Sequence, residues 1–225
     1  MMNQYQHFSI ASYMYAYYAA EAEDARIRED MEKYLKYLPL DKVYVENHRG
    51  LVDVPVKRLR EIKAILKEYG VKVSGGITST GLVNDVQKPA LFDTFCYTDP
   101  EHRREYLRIV SEAAEVFDEI ILDDYFFTSC RCEMCIAAKG SRSWKDFRQA
   151  QMMEFSSQIV SLAKRVNPKI TFIIKYPNWY ESYQATGYNP GMQKDVFDMV
   201  YTGTETREPF YQSLRRIPPP PQAAG

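Results

Sequence analysis

The sequence predicts an α/β protein with a parallel sheet, of the (β/α)8 barrel type, with about six of the eight β/α units in view. Three observations carry this. Short apolar runs alternate with longer amphipathic ones along the chain, the pattern of strand–helix units wound into a parallel sheet. No Gly-x-Gly-x-x-Gly follows the first apolar run, so a dinucleotide-binding fold has no support. Polar residues close successive predicted strands: Tyr15, Glu46, Thr78, Asp123 and Lys175, then Glu205. A (β/α)8 barrel builds its active site from such positions.

The elements follow in order. "HFSIASYMYA" (7–16) reads as the first strand and "AEAEDARIREDMEKYLKYL" as the first helix, with Ala25, Met31, Leu35 and Leu38 near helical spacing. "KVYVEN" is the second strand. Asp53 and Pro55 open a helix that closes at Gly70, and "VKVSGGIT" is the third strand. From Thr78 a loop of about 20 residues follows, far beyond the usual ~2–6. Asp99–Pro100 opens the next helix, and "DEIILDD" is the fourth strand. A helix runs from Ser143 to near Val166 and stops at Asn167–Pro168. "KITFIIKYP" is the fifth strand and "MVYTGTE", after a short helix near "QKDVFD", the sixth. Eight units need about 250 residues, so a truncated barrel is expected over 1–210. The segment 211–225, ending "RRIPPPPQAAG", reads as a Pro-rich irregular tail.

Bulk properties narrow the function. The 225 residues carry 29 Lys and Arg against 30 Asp and Glu, a net charge of −1. That balance gives no electrostatic footprint for nucleic acid or an anionic membrane. No apolar run approaches a membrane span. No leader pattern opens the chain, so a cytoplasmic location is expected as written, and a secreted or periplasmic one if the N-terminus is incomplete. The 18 tyrosines suit either the edge of a core or the stacking of polar ligands such as sugars.

In "FDEIILDDYFF" the apolar residues Ile120 to Leu122 run directly into Asp123 and Asp124. On a barrel strand those acids land at the mouth, and Tyr125, Phe126 and Phe127 would partly desolvate them, which is how carboxylate pKa values are tuned. Spacing alone equally allows a helix cap or a solvated pair. Glu205, in "YTGTETRE", closes the sixth strand across the mouth from the fourth; it reads either as a second catalytic acid or as the partner of Arg207. Two carboxylates flanking one bond are the equipment of glycoside hydrolysis.

The same residues carry a resemblance. "FDEIILDDYFF" resembles the "DGI-x-x-DDYF" strand of uncharacterised glycosidase-like (β/α)8 proteins. An acid closing strand four and another closing strand six is similar to the retaining clan of α-galactosidases and α-glucosidases. The resemblance covers roughly residues 5–210. It implies that Asp123 is the nucleophile, that Asp124 orients substrate, and that Glu205 stands where the clan's acid/base, usually Asp, is found.

"CRCEMC" places Cys130, Cys132 and Cys135 in C-x-C-x2-C. Thiolates at this spacing can converge on a structural zinc, which needs a fourth ligand such as Cys96 or His102. Similar spacing after strand four in glycosidase-like barrels favours a structural loop. Substrate contacts are expected from Tyr15, Glu46, His48, Tyr125, Lys175, Asn178, Trp179 and Arg207, the aromatic rings as stacking platforms and the polar groups on sugar hydroxyls.

The expectation is therefore a retaining glycoside hydrolase acting on an oligosaccharide or glycoside. It requires no cofactor; the cysteines read either as a structural zinc site or as plain buried thiols, and the open barrel edges favour self-association. The alternatives are an inactive carbohydrate-binding barrel and a metal-dependent barrel enzyme using the cysteines.

Overall fold

The computed structural model describes residues 7–81, 94–177 and 183–202. The strands are β1 (Ala11–Met14), β2 (Lys42–Arg49), β3 (Val52–Asp53), β4 (Lys72–Ile77), β5 (Glu119–Leu122), β6 (Thr171–Tyr176) and β7 (Met199–Thr202). The α-helices are α1 (Ala16–Glu21), α2 (Asp24–Tyr37), α3 (Val56–Glu68), α4 (Pro100–Val116), α5 (Glu133–Lys139), α6 (Trp144–Val166) and α7 (Pro190–Gln193). The sheet order is β1-β2-β4-β5-β6-β7, every neighbouring pair parallel, and β3 folds back antiparallel on β2. Six parallel strands in chain order are the wall of a partial barrel, as the sequence predicted.

Helix boundaries follow local chemistry. Asp99 caps α4 by accepting from the Glu101 amide at 2.8 Å, with Pro100 in the first turn. Ser143 caps α6 by accepting from Asp146 N at 3.1 Å. Gly70, with φ +75°, closes the turn after α3 in the left-handed region that glycine tolerates. The predicted first strand is corrected: only 11–14 is extended, and α1 begins at Ala16. Alternating aromatics in "SYMYAYY" imitate a strand, but Ala16 and Ala19 are small enough to bury a helix face. The hairpin strand β3 and the helix α5 have no counterpart in the sequence reading.

Side chains alternate across the wall. Val43, Val45, Val73, Ile77, Ile120, Leu122, Phe172 and Ile174 point outward into a core shared with α2, α3, α4 and α6. Tyr44, Ile121 and Ile173 form a second cluster, flanked by Tyr13 and Tyr201, on the inner face. There the hydroxyls of Tyr44 and Tyr201 lie 3.2 Å apart, although their strands stand four places apart in the sheet. A flat sheet would separate such strands by about 19 Å, so this contact measures the curl of the wall. Adjacent glycines make room on opposite faces. A Cβ at Gly75 would lie 2.6 Å from the Phe117 ring, and one at Gly76 would lie 2.5 Å from the Tyr13 hydroxyl.

The interior is polar at both ends. At the N-terminal end, Glu119 accepts from Lys72 at 2.6 Å, from Lys42 at 2.5 Å and from Ser74 at 2.9 Å. Burial opposes its charge, but those three donors outweigh burial and hold its pKa at about 2. The opposite, C-terminal end carries the acids singled out from sequence.

Candidate active site at the barrel mouth

Four strand ends meet at the mouth. Thr78 after β4, Asp123 after β5 and Lys175 on β6 follow, in turn, the paired residues Ile77, Leu122 and Ile174, while Glu46, near the end of β2, is level with Gly76 and meets Thr78 through its side chain. Glu46 is fully buried and accepts from the Ala16 amide at 2.7 Å, Tyr13 Oη at 3.1 Å and Arg49 Nε at 2.9 Å, and also from Thr78 Oγ1. A buried carboxylate survives only with such a set of donors. Burial, reinforced by the negative charges of Glu46 and Asp123, pushes the Tyr13 phenol well above its ordinary pKa. Tyr13 is thereby kept as a donor.

Asp123 and Asp124 are both buried. Lys175 Nζ lies 2.9 Å from Asp123 Oδ1 and 3.0 Å from Asp124 Oδ1. Arg49 Nη2 approaches Asp123 Oδ2 at 3.4 Å, and Thr78 Oγ1 lies 3.5 Å from the same oxygen. Arg49 thus spans Glu46 and Asp123. Three carboxylates and two cations form one connected network across four strand ends. Tyr188, buried and its pKa raised by burial, donates to the Asp124 carbonyl oxygen and fixes the backbone behind the pair. Nothing in the local sequence around Tyr188 signals this role.

The other predicted contacts are distributed differently. Tyr15 is exposed at the rim, 59 % accessible, with the Arg49 guanidinium 6.0 Å from its ring centre. Tyr125 is half-buried and stacks on Phe127 with centroids 6.3 Å apart. His48 is buried, its Nδ1 2.6 Å from Asp53 Oδ1 and its Nε2 2.6 Å from the Thr80 carbonyl oxygen. Nδ1 therefore closes the β2–β3 hairpin on itself, and Nε2 ties that hairpin to the loop after β4. Asn178, Trp179, Glu205, Arg207 and the segment 211–225 lie outside the described residues.

The cysteines converge. Sγ atoms of Cys96, Cys130, Cys132 and Cys135 all lie within 4.8 Å of one another, buried and without disulfides. Cys96 Sγ is 3.7 Å from Cys132 Sγ and 3.5 Å from Cys135 Sγ. Tetrahedral zinc–thiolate bonds of about 2.3 Å place sulfurs about 3.8 Å apart, so the four donors fit such an ion. Of the two fourth ligands considered, Cys96 joins the cluster; His102 Nδ1 instead accepts from the Cys96 amide at 3.0 Å.

Residues 1–218 match the family model described as "Probable glycosyl hydrolase, catalytic domain". The chain belongs to this probable glycosyl hydrolase catalytic-domain family. An uncharacterized protein of Saccharolobus solfataricus is 28 % identical over 89 % of the chain and 38 % of its own length. Among solved structures, this family member resembles the β-galactosidase of Marinomonas ef1 (TM-score 0.66, 13 % identity, 88 % of this chain and 41 % of that one). It also resembles the β-galactosidase of Rahnella sp. R3 (TM-score 0.63, 11 % identity, 89 % and 40 %). At such identity these likenesses show the fold, a partial glycosidase-type barrel. The glycosyl hydrolase domain described here spans about two-fifths of the length of the relatives it matches.

Proposed function

We propose that this chain carries the catalytic face of a retaining glycoside hydrolase, with Asp123 as nucleophile and Glu205 as acid/base. The observation that carries the reading is the placement of Asp123. It closes β5 at the barrel mouth, buried, with Lys175 at 2.9 Å and Arg49 at 3.4 Å. In this reading an Asp123 oxygen attacks the anomeric carbon and the glycosidic C–O bond breaks. Glu205 gives its proton to the departing oxygen, and a covalent glycosyl-enzyme forms. Water, deprotonated by Glu205, then attacks the same carbon and releases Asp123. Lys175 and Arg49 balance the acid cluster before attack, and Asp124 holds Lys175 in place. Glu205 enters from its position in the sequence alone.

Substrate contacts are assigned to the rim: Tyr15 and Tyr125 by their rings, Lys175 by hydrogen bonding, and Asn178, Trp179 and Arg207 from sequence. Glu46 and His48 act one step back, through Arg49 and the β2–β3 hairpin. The test is trapping. A 2-deoxy-2-fluoro glycoside with an activated leaving group should label Asp123, read by peptide mass spectrometry. Turnover with inversion at the anomeric carbon, or a label on another carboxylate, would overturn the assignment.

The cysteine geometry supports a second, separate reading. We propose that Cys96, Cys130, Cys132 and Cys135 hold a structural zinc ion. Bound there, the ion would tie the loop after β4 to the loop after β5 and take no part in the chemistry, since a site with four protein thiolates has no open position. Metal analysis of the purified chain tests it: one zinc per chain is expected.

A further inference from the structure

Arg148, on the inner side of α6, is 4 % exposed. Its Nη1 donates to the Ala185 carbonyl at 2.7 Å, and its Nη2 to the carbonyls of Ser129 at 2.9 Å and Cys130 at 3.2 Å. Its Nε is buried without a hydrogen-bond partner, and among the described residues no carboxylate pairs with the guanidinium. Neutral carbonyls alone leave a buried cation poorly compensated, a costly arrangement. The Trp144 ring, centred 4.7 Å from the guanidinium carbon, adds a weak π contact.

The compensation lies in the cysteine cluster. Arg148 is within electrostatic reach of Cys130 and Cys135, and Cys130 supplies one of its carbonyl partners. The segment 130–148 holds five Lys and Arg residues against two acids. Arg131 and Lys139 both approach the Trp144 ring, and Arg142 approaches Phe147, the aromatic residue packed on the thiols. Four thiolates around a divalent ion carry a net charge of −2, so the loaded centre is an anion in a cationic shell.

Resting on the zinc reading above, we infer that Arg148 is the buried counter-charge of the tetrathiolate centre and the link between that centre and the barrel mouth. The link is the Ala185 carbonyl, in the 3-10 turn Tyr183–Thr186 that follows β6. That turn is also joined to the β5 loop where Thr128 N donates to the Thr186 carbonyl at 3.0 Å. Metal loading and the setting of the mouth after β6 are thus coupled through one guanidinium. Arg148 is a positioning residue; it touches neither the thiolates' metal-facing side nor Asp123 among the contacts described.

The experiment titrates Zn2+ into the reduced, metal-free 225-residue chain against a chromogenic chelator, for wild type, Arg148→Gln and Arg148→Lys. Arg148→Gln should weaken Zn2+ binding about tenfold or more, the size expected for groups just outside a metal's ligands. Arg148→Lys, which keeps the charge, should stay within about threefold of wild type. Melting curves of both variants are then compared with the same changes in a Cys132→Ser, Cys135→Ser background. Arg148→Gln should lower the melting temperature more in the zinc-loaded protein than in that metal-free one. Equal losses in both backgrounds, with unchanged Zn2+ affinity, would make Arg148 a plain loop tie and overturn the inference while leaving the zinc reading intact. A wild-type chain that binds no Zn2+ would instead remove the zinc reading itself. If Arg148→Gln does not fold, Arg148→Lys decides alone: affinity lost by tenfold despite the retained charge overturns the proposal.

Discussion

Lys175 Nζ lies 2.9 Å from Asp123 Oδ1, joining the ends of β6 and β5 across the mouth. Asp123→Asn keeps the shape and removes the nucleophile, so hydrolysis should fall by more than about a thousandfold while the melt changes little. Asp124→Asn should lose less. A dead Asp124→Asn beside an active Asp123→Asn would exchange their roles. Steady-state rates on aryl glycosides read both.

Glu205→Ala should hurt poor leaving groups far more than activated ones, because only the former need protonation. Azide should restore some rate on an activated substrate. Equal losses on both substrate types would mark Glu205 as structural.

Glu46 gathers four donors in a fully buried place. Glu46→Ala strands Arg49, Thr78 and the Ala16 amide, and should cost about 3–5 kcal/mol, the range for breaking a buried ion pair. Urea denaturation measures it. A cost below about 1 kcal/mol would mean that water or another group replaces the carboxylate.

Glu119 should make stability depend on acid. Its folded pKa, about 2, lies below the ordinary carboxylate range because Lys42, Lys72 and Ser74 outweigh burial. A depressed carboxylate contributes stability that is complete above its unfolded value, about 4.3, and is lost as pH falls through the folded value. Glu119→Gln should therefore be less stable than wild type at neutral pH, and the gap should close as pH falls from about 4.3 toward 2. A gap independent of pH would show that the loss is one of packing.

Among the described residues, β1 and β7 each pair on one side only. Exposed Phe8, Tyr34 and Tyr37 lie in the segments flanking β1 and on α2, and exposed Met199 lies on β7. Unpaired strand edges with apolar flanks favour association. Light scattering of the 225-residue chain should show mass rising with concentration, and Met199→Lys should reduce the rise. A monodisperse chain with a sharp, cooperative melt would show that these edges are protected.

The sequence by itself determined the class of fold and most of its punctuation. Strand and helix periods are local properties, and so are the caps at Asp99 and Ser143 and the left-handed turn at Gly70. They were legible because each depends on residues a few places apart. The register that puts Asp123 at the mouth was legible too, since an apolar run ending in an acid fixes which residue reaches the strand's end. The α1 helix was not: "SYMYAYY" alternates like a strand, and only packing of Ala16 and Ala19 on β2 selects a helix. The partners of the acids were beyond reach for the same reason. Thr78, Asp123 and Lys175 come from three neighbouring strands, and their meeting depends on a pairing register between segments far apart in the chain; the meeting of Tyr44 and Tyr201 depends further on the curl of the wall. C-x-C-x2-C announced three thiols, whereas the choice of Cys96 over His102 as the fourth, and the burial of Arg148 beside them, required the loops after β4 and β5 to be packed together. Local periodicity sets elements; contacts between residues far apart in the chain are decided only when the wall closes around them.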